Sequence, residues 1–292
     1  MNDAIKTLFI EILEEHTGKK ETLISSRPLS GGDINQAARM ETGEGTTWFA
    51  KWNDAHAYPG MFEAEAKGLQ LLRDAGEVDV PKVVGYGEKE NTSMLVLFFV
   101  NEGRQKGDFW SEFGKGLALM HRHSAEHFGL DHDNYIGSLP QTNTWKSSWN
   151  EFFINHRLEP QLKMARDRGE GDNSLVKQFE RLYPHLNDFF PVEKPSLVHG
   201  DLWSGNYMTN NRGEACIIDP AVYYGHRLMD IGMSKLFGGF APEFYDSYTH
   251  TWSLEKNWSQ AVDIANLYPL MVHVNLFGGG YTGSVKSILR RF

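Results

Sequence analysis

Two short apolar runs, each followed at once by an aspartate, constrain the fold of this chain more than any other feature. Residues 196–198 (SLV) lead through His-Gly into Asp201, and residues 215–218 (ACII) lead into Asp219. Between the two runs lie Asn206 and a polar turn. Short apolar runs bounded by such turns are typical of strands, and two strands joined by a tight turn form a hairpin. We therefore predict a hairpin that brings Asp201, Asn206 and Asp219 together around one point.

Two carboxylates and an amide at one point suit phosphoryl transfer, which depends on positioning and on neutralising phosphate charge. One carboxylate can face the attacking hydroxyl, while the other carboxylate and the amide oxygen can hold Mg²⁺. The spacing from Asp201 to Asn206 is that of the kinase loop D-x-x-x-x-N, and Asp219 stands where D-F-G has its metal ligand. Either tripeptide alone would be typical of an ordinary turn. The ordered set predicts a kinase site.

The residues around these positions resemble a known family. H-G-D-L-W-S-G-N at 199–206, followed by I-D-P-A-V-Y-Y-G-H-R-L-M-D at 218–230, is similar to the fructosamine kinase (ketosamine-3-kinase) family. That family lies within the aminoglycoside-phosphotransferase-like kinases. The resemblance implies Asp201 as catalytic base, Asn206 and Asp219 as Mg²⁺ ligands, and ATP as phosphoryl donor. Trp203 could stack on the sugar or its amine substituent, with core packing as the alternative.

A lysine upstream ends a β-type run, TWFAK at 47–51, much as V-A-I-K does in kinases. We predict that Lys51 contacts the nucleotide phosphates and needs a fixed carboxylate to hold it. Glu65 lies four residues before Leu69 in the following predicted helix, on the inward face, and is the expected partner. The alternative is that both side chains are solvated surface charges.

Two further stretches are candidates for nucleotide binding. Gly31 and Gly32 lie in a predicted turn, where backbone N–H groups could approach phosphate oxygens. The turn matches no complete phosphate-loop motif, so a plain hairpin is the alternative. Residues 93–100 form an apolar strand followed by polar residues, as at a kinase hinge. The residues expected to line the nucleotide there are Leu97, Phe98, Phe99 and Val100.

These observations predict an α+β, bilobal, protein-kinase-like fold. The β-rich N-terminal nucleotide-binding lobe would span residues 1–100, and the mainly helical catalytic and substrate-binding lobe residues 101–292. The N-terminus has apolar residues at helical spacing and is predicted to form an amphipathic helix. Asp230 would cap a helix or brace the catalytic loop. A zinc site at the histidines between 121 and 127 is a minor alternative, because no cysteine or carboxylate motif accompanies them.

The composition narrows the partners and the compartment. A formal net charge of −9 argues against nucleic acid as a partner and suits a neutral or cationic substrate, although solubility alone could account for it. The single cysteine, Cys216, allows no intramolecular disulfide and fits a reducing compartment. No apolar run reaches the roughly 20 residues of a membrane span. We expect a cytoplasmic monomer with no membrane partner.

The resemblance implies phosphorylation of a ketosamine, a fructosamine or ribulosamine, at the sugar O3, in deglycation repair. The sequence does not separate fructosyl from ribulosyl acceptors, or free from protein-bound ones. One alternative is a small-molecule kinase of the aminoglycoside or choline type, because the shared motifs do not define the acceptor. Another is a nucleotide-binding pseudokinase. A pseudokinase would be expected to lack one or more of the catalytic residues. Here all of them are present, namely Lys51, Asp201, Asn206 and Asp219.

Overall fold

The computed structural model describes residues 3–29, 34–43, 45–256 and 258–292, and the chain divides into two compact units. The first unit comprises Met1–Gly107 and Met208–Ile218, and the second comprises Asp108–Tyr207 and Asp219–Phe292. The first unit thus extends past the predicted boundary at residue 100 and includes a segment from far downstream. Hydrogen bonds explain this grouping, because the Asn210 side chain donates to the Asp79 carboxylate at 2.7 Å and the Ile217 N–H to the Asp79 carbonyl at 2.9 Å.

An antiparallel sheet forms the centre of the first unit. Its strands are β1 (Leu23–Leu29), β2 (Gln36–Thr42), β3 (Thr47–Asp54), β4 (Val83–Lys89) and β5 (Thr92–Phe98). Within the described residues they lie in the order β1-β2-β3-β5-β4. Helix α2 (Met61–Ala75) connects β3 to β4 and packs on β4 and β5.

Helix α1 (Asp3–Thr17) covers the sheet and confirms the predicted amphipathic helix. Its buried residues are the ones that the apolar spacing selects, namely Ile5, Leu8, Phe9, Ile12 and Leu13. They join a core with side chains from β2, β3, β4 and β5, among them Met40, Trp48 and Val96. Because side chains alternate along a strand, this contact assigns one face of the sheet to α1 and leaves the other for Lys51.

The second unit is mainly helical. Its first half contains α3 (Phe109–Met120), α4 (Trp149–Phe153), a π-helical turn (Ile154–Leu158), α5 (Glu159–Asp167), α6 (Asn173–Leu182), a 3₁₀ turn (Tyr183–His185) and α7 (Leu186–Phe189). Its second half contains α8 (Leu228–Leu236), α9 (Pro242–Thr251), α10 (Trp258–Ala265), α11 (Leu267–Phe277) and α12 (Gly280–Leu289). The predicted α+β class, with a sheet-based first unit and a helical second unit, is confirmed. In the described part of the chain, no helix has the length and apolarity needed to cross a bilayer.

Short strands frame the predicted catalytic segment. They are β6 (Asn134–Ile136), β7 (Leu139–Gln141), β8 (Ser196–Val198), β9 (Tyr207–Thr209), β10 (Ala215–Ile217) and β11 (Tyr223–Gly225). Strand β9 pairs with β10, and β8 pairs with β11, opposing Val198 to Tyr223. The predicted pairing of residues 196–198 with residues 215–218 is therefore wrong. The real hairpin begins just after Asn206 and ends just before Asp219, so it still returns the chain to its starting point.

Candidate active site

The loop after β8 joins Asp201 to Asn206 directly. The Asn206 side-chain amide donates to the Asp201 backbone carbonyl at 2.8 Å and to its carboxylate Oδ2 at 2.9 Å. Backbone turns within the loop fix this arrangement, since the Trp203 N–H donates to the Asp201 carbonyl and the Asn206 N–H to the Trp203 carbonyl. Asn206 is buried, while Asp201 remains partly exposed.

Asp219 follows the hairpin in a left-handed backbone conformation, with φ of 53°. Aspartate tolerates this conformation better than most residues, and such strain clusters at functional sites. Two residues further on, the Ala221 N–H donates to the His199 carbonyl at 2.9 Å. This bond ties the turn to the His-Gly-Asp segment. Asp219 is exposed and its charge acts on Asp201, which Asn206 contacts, so the three positions lie near one another.

Gly200 is required where the two segments cross. Its φ is +85°, and a Cβ at this position would lie 2.1 Å from the Ala221 carbonyl oxygen. No side chain fits into that space. The glycine of the His-Gly-Asp motif therefore allows the catalytic loop to approach the backbone that carries Asp219.

Asp230, on α8, holds the catalytic loop through the loop backbone. Its carboxylate accepts the backbone N–H groups of His199 at 2.7 Å and Gly200 at 2.9 Å. It also contacts His121 Nε2 at 3.1 Å, and His121 Nδ1 lies 2.8 Å from the Tyr248 hydroxyl. Of the two predicted roles, the loop brace is confirmed. Sequence reasoning missed His121 and Tyr248, because their partners lie more than 100 residues away in the chain.

The two aspartates differ in their protonation. Burial raises the pKa of Asp201 to about 7, opposed by the Asn206 hydrogen bond and reinforced by the charges of Asp219 and Asp230. Burial also opposes ionisation of Asp230, but the hydrogen bond and charge of His121, with the backbone N–H of Gly200, hold its pKa below the usual range. Asp230 is therefore a fixed anion, while Asp201 can exchange a proton near neutral pH.

The residues fit a magnesium ion held together with phosphates. Asn206 uses its amide nitrogen on Asp201, so its oxygen is the atom suited to a cation, and Asp219 offers an exposed carboxylate. Both are hard oxygen donors, as Mg²⁺ prefers, and the ion usually completes its shell with phosphates and water. The described residues contain no group of three or more His, Cys, Asp or Glu side chains that could hold a metal. Nothing there supports the zinc alternative.

Lys51 and Glu65 form a buried ion pair in the first unit. Lys51 Nζ lies 2.6 Å from Glu65 Oε1, and the two side chains are 6% and 11% exposed. The predicted pairing is confirmed. The ammonium also lies 5.8 Å from the centre of the Phe62 ring. A buried lysine held by one carboxylate has the geometry that protein kinases use for nucleotide phosphates.

The predicted hinge strand has two different faces. Leu97 pairs with Phe49 and Leu95 with Lys51, so alternation places Leu97 on the Lys51 face. Phe98 instead packs against the α1 core and lies 4.9 Å from the Trp48 ring, so its side chain belongs to the opposite face. Only the backbone of Phe98 remains a candidate for the nucleotide. Phe99 and Val100 follow the strand and are partly buried, and Gly31 and Gly32 lie outside the described residues.

Trp203 lies at the surface of the catalytic loop with its indole folded over Gly205. A Cβ at Gly205 would approach that ring to 2.4 Å, so a larger residue there would displace the indole. The indole meets the Phe237 ring edge-on at 5.9 Å, and Phe237 lies 4.7 Å from His273. These three side chains, which we call the aromatic row, are only partly buried. Core packing does not fully use Trp203.

An antiparallel sheet with a buried Lys–Glu pair, together with an Asp…Asn loop and a following Asp, defines a protein-kinase-like phosphotransferase. A macrolide 2′-phosphotransferase type I has the same fold, with a TM-score of 0.63 at 11% identity, covering 100% of this chain and 97% of that one. Residues 5–292 match the fructosamine kinase family. The chain belongs to that family.

Individual relatives agree with this assignment. A probable ketoamine kinase of Synechocystis sp. is 38% identical over 280 residues, covering 96% of this chain and 94% of the relative. A chloroplastic protein-ribulosamine 3-kinase of Oryza sativa subsp. japonica is 38% identical, covering 95% and 81%. The crystal structure of a putative fructosamine-3-kinase from Haemophilus somnus superimposes with a TM-score of 0.90 at 27% identity, covering 99% of both chains.

Proposed function

We propose that this protein transfers the γ-phosphoryl group of ATP to the O3 hydroxyl of a ketosamine, in deglycation repair. The observation that carries the proposal is Asp201, whose carboxylate is held by Asn206 and has a pKa raised to about 7 mainly by burial. A general base is most effective when its pKa lies near the working pH. The chain's membership of the fructosamine kinase family and the names of its relatives support a ketosamine as acceptor.

In the proposed step, Asp201 orients the sugar hydroxyl and accepts its proton as the oxygen bonds to the γ-phosphorus. The bond from that phosphorus to the β,γ-bridging oxygen breaks, and ADP leaves with the electron pair. Asn206 fixes the Asp201 carboxylate through its 2.9 Å hydrogen bond, so the base is positioned before the substrate binds. Asp230 in turn holds the loop backbone.

Mg²⁺ would be held by the Asn206 oxygen and the Asp219 carboxylate, and it would neutralise charge on the phosphates. Lys51, fixed by Glu65 at 2.6 Å, would contact phosphate oxygens. Gly31, Gly32, Leu97, Phe99, Val100 and the backbone of Phe98 remain proposed nucleotide contacts.

We propose that the aromatic row of Trp203, Phe237 and His273 binds the amine end of the acceptor. A ketosamine carries a secondary ammonium next to its sugar, and an aromatic face attracts such a cation. Trp203 sits within the loop that carries Asp201, which suits a contact close to the reacting hydroxyl. The net charge of −9 agrees with a cationic acceptor.

We further propose that the protein works as a cytoplasmic monomer, without a nucleic-acid or membrane partner. The single cysteine allows no intramolecular disulfide, which suits a reducing compartment. Burial raises the pKa of the Cys216 thiol to about 12, so the thiol is unreactive. Light scattering on the purified protein tests the monomer. A mass of twice 33.2 kDa would overturn it.

The acceptor is tested by measuring ADP release with ribulosyl-lysine, fructosyl-lysine, an aminoglycoside and choline, followed by NMR location of the phosphate on the product. The expected result is turnover of a ketosamine with phosphate on O3, and no turnover of the other two. The Asp201→Asn variant is the matched control for a contaminating kinase. Turnover of the aminoglycoside or choline, with ketosamines unchanged, would overturn the proposal.

A further inference from the structure

Arg157 is a fully buried cation within the second unit, 0% exposed. It lies on the π-helical turn between α4 and α5. Such turns are rare and are frequently found at functional sites. The guanidinium lies 4.0 Å from the centre of the Tyr223 ring and 4.6 Å from that of Phe152. Two aromatic rings thus flank the buried guanidinium.

No carboxylate among the described residues forms an ion pair with Arg157, and its Nε finds no hydrogen-bond acceptor there. Burying a cation without a counter-ion is costly, and apolar replacements of buried charges often stabilise a fold. Packing therefore does not explain the arginine. Its charged hydrogen bonds indicate another role.

Those bonds hold the segment that directly follows β7. Arg157 Nη2 donates to the Asn143 side-chain oxygen at 2.7 Å, and Nη1 donates to the Thr142 carbonyl at 2.7 Å. The Asn143 amide then donates to the Asn134 side-chain oxygen at 3.0 Å. Gln141 donates to the same oxygen at 2.7 Å. The planar guanidinium thus orients the first member of a buried amide chain.

The amide chain ends at the backbone that follows Asp219. Asn134 donates to the Val222 carbonyl at 2.8 Å, and Gln141 donates to the Ala221 carbonyl at 3.2 Å. The N–H of Ala221 is bonded to His199, in the catalytic loop. Both faces of the Ala221 peptide segment are therefore fixed, one by the catalytic loop and one by the amide chain.

We propose that Arg157 is a positioning residue of the phosphoryl-transfer site, acting through Asn143, Asn134 and Gln141 to hold the turn that carries Asp219. The inference rests on the proposed function only in assigning Asp219 to the metal. Mg²⁺ demands near-ideal octahedral geometry, so a loosened turn should weaken metal binding before it affects the acceptor. The chain of bonds is specific to a planar fork, which lysine cannot replace.

Three variants test the proposal. Arg157→Met removes the cation, and Arg157→Lys keeps the charge but loses the fork. Gln141→Met leaves Arg157 and its acceptors intact and removes one of the two end links, the bond to Ala221, together with the acceptor of the Tyr268 hydroxyl at 2.6 Å. The matched control is Arg227→Met, which removes another buried arginine, bonded to Glu193 at 2.6 Å and lying over the Trp252 ring at 4.1 Å. None of the hydrogen bonds of that arginine involves Asn143, Asn134 or Gln141.

The first readout is hydrogen exchange of peptides covering residues 218–225 in the protein without metal or nucleotide. We expect at least tenfold faster exchange in Gln141→Met and Arg157→Met, and no change there in Arg227→Met. The second readout is the Mn²⁺ concentration that half-saturates the protein in the presence of ADP, measured by electron paramagnetic resonance. It should rise about fivefold or more in the first two variants, with a smaller rise in Arg157→Lys.

Unchanged exchange and unchanged Mn²⁺ affinity in folded Gln141→Met would overturn the proposal. If Arg157→Met does not fold, the hydrogen exchange and Mn²⁺ affinity of Gln141→Met decide whether the proposal holds. A general loss of protection across the second unit, equal in Arg227→Met, would assign Arg157 a purely structural role. Neither readout uses an acceptor, so failure of ketosamine turnover in the wild type is distinguishable from failure of this inference.

Discussion

Asn206 donates one side-chain amide to both the backbone carbonyl and the carboxylate of Asp201, at 2.8 and 2.9 Å. The proposed base and a proposed metal ligand are thereby coupled. The amide nitrogen fixes the carboxylate, which leaves the amide oxygen as the donor for a cation. An aspartate at position 206 could bind metal but could not donate this bond, and its charge would repel Asp201. Asparagine meets both requirements with one side chain.

Asp201→Asn tests the general base. The substitution keeps the shape of the side chain and removes its ability to accept a proton, so kcat should fall by about 10²–10⁴-fold. Nucleotide binding, measured by calorimetry, should stay within about twofold, since the variant removes no proposed phosphate contact. A kcat within tenfold of the wild type would show that Asp201 is not the base.

The raised pKa of Asp201 predicts a dependence of stability on pH. Its pKa is about 3.9 unfolded and about 7 folded, so this group's contribution is fully present below pH 4 and is lost as pH rises to 7. The Asn side chain of Asp201→Asn does not titrate, so the free energy of unfolding of this variant does not fall with pH for this reason. The metal-free variant should therefore be more stable than the wild type above pH 7, by about 1–4 kcal/mol, and equal to it near pH 4.

Asp230→Asn provides a control of opposite sign for the same denaturation series. The pKa of Asp230 is lowered in the folded protein, so its contribution is present above the unfolded pKa and is lost as pH falls through the folded one. That variant should be less stable than the wild type at pH 7, with a difference that shrinks in acid. Urea unfolding between pH 4 and 8 measures the Asp201→Asn change, while the Asp230→Asn difference should stay nearly constant over that range and shrink only below about pH 4. A constant Asp201→Asn difference across this range would contradict the predicted titration.

The clustering of Asp201, Asn206 and Asp219 could be predicted because each follows a strand or turn signal that is local in the sequence. The strand partners could not. A run of three residues, such as Ser196–Val198, has too few alternating positions to specify which strand it joins. The α1 and Lys51–Glu65 predictions succeeded for the opposite reason, since longer helical periodicity defines a face.

Contacts made through tertiary structure gave no sequence signal. His121 lies at the end of a helical pattern, and nothing local indicates that it will meet Asp230, 109 residues away. Arg157 lies in a stretch whose spacing predicts an ordinary helix, whereas the structure has a π-helical turn there. The sequence predicts that Leu97 and Phe98 point to opposite faces of β5, because side chains alternate along a strand. It does not predict which of these faces packs against α1.

The Lys51–Glu65 pair predicts a non-additive pattern of stability. Removing one partner leaves a buried charge, so Lys51→Met or Glu65→Gln should each lower the free energy of unfolding by about 3 kcal/mol. The double variant Lys51→Met/Glu65→Gln should recover most of that loss, because both charges are gone. Thermal and urea unfolding measure the cycle. Additive losses would show that the pair is not coupled, and all three variants should lose phosphoryl transfer.

Trp203→Leu tests the aromatic row. Leucine keeps apolar contact with Phe237 but lacks a π-face, so KM for the ketosamine should rise by about 5–30-fold while KM for ATP stays constant. The KM of Trp203→Phe for the ketosamine should lie between that of Trp203→Leu and that of the wild type. Trp145→Leu, at a 39% exposed tryptophan outside the catalytic loop, is the matched control and should leave both KM values unchanged. If Trp203→Leu instead lowers the melting temperature with both KM values intact, Trp203 is a packing residue, and the acceptor amine must be bound elsewhere.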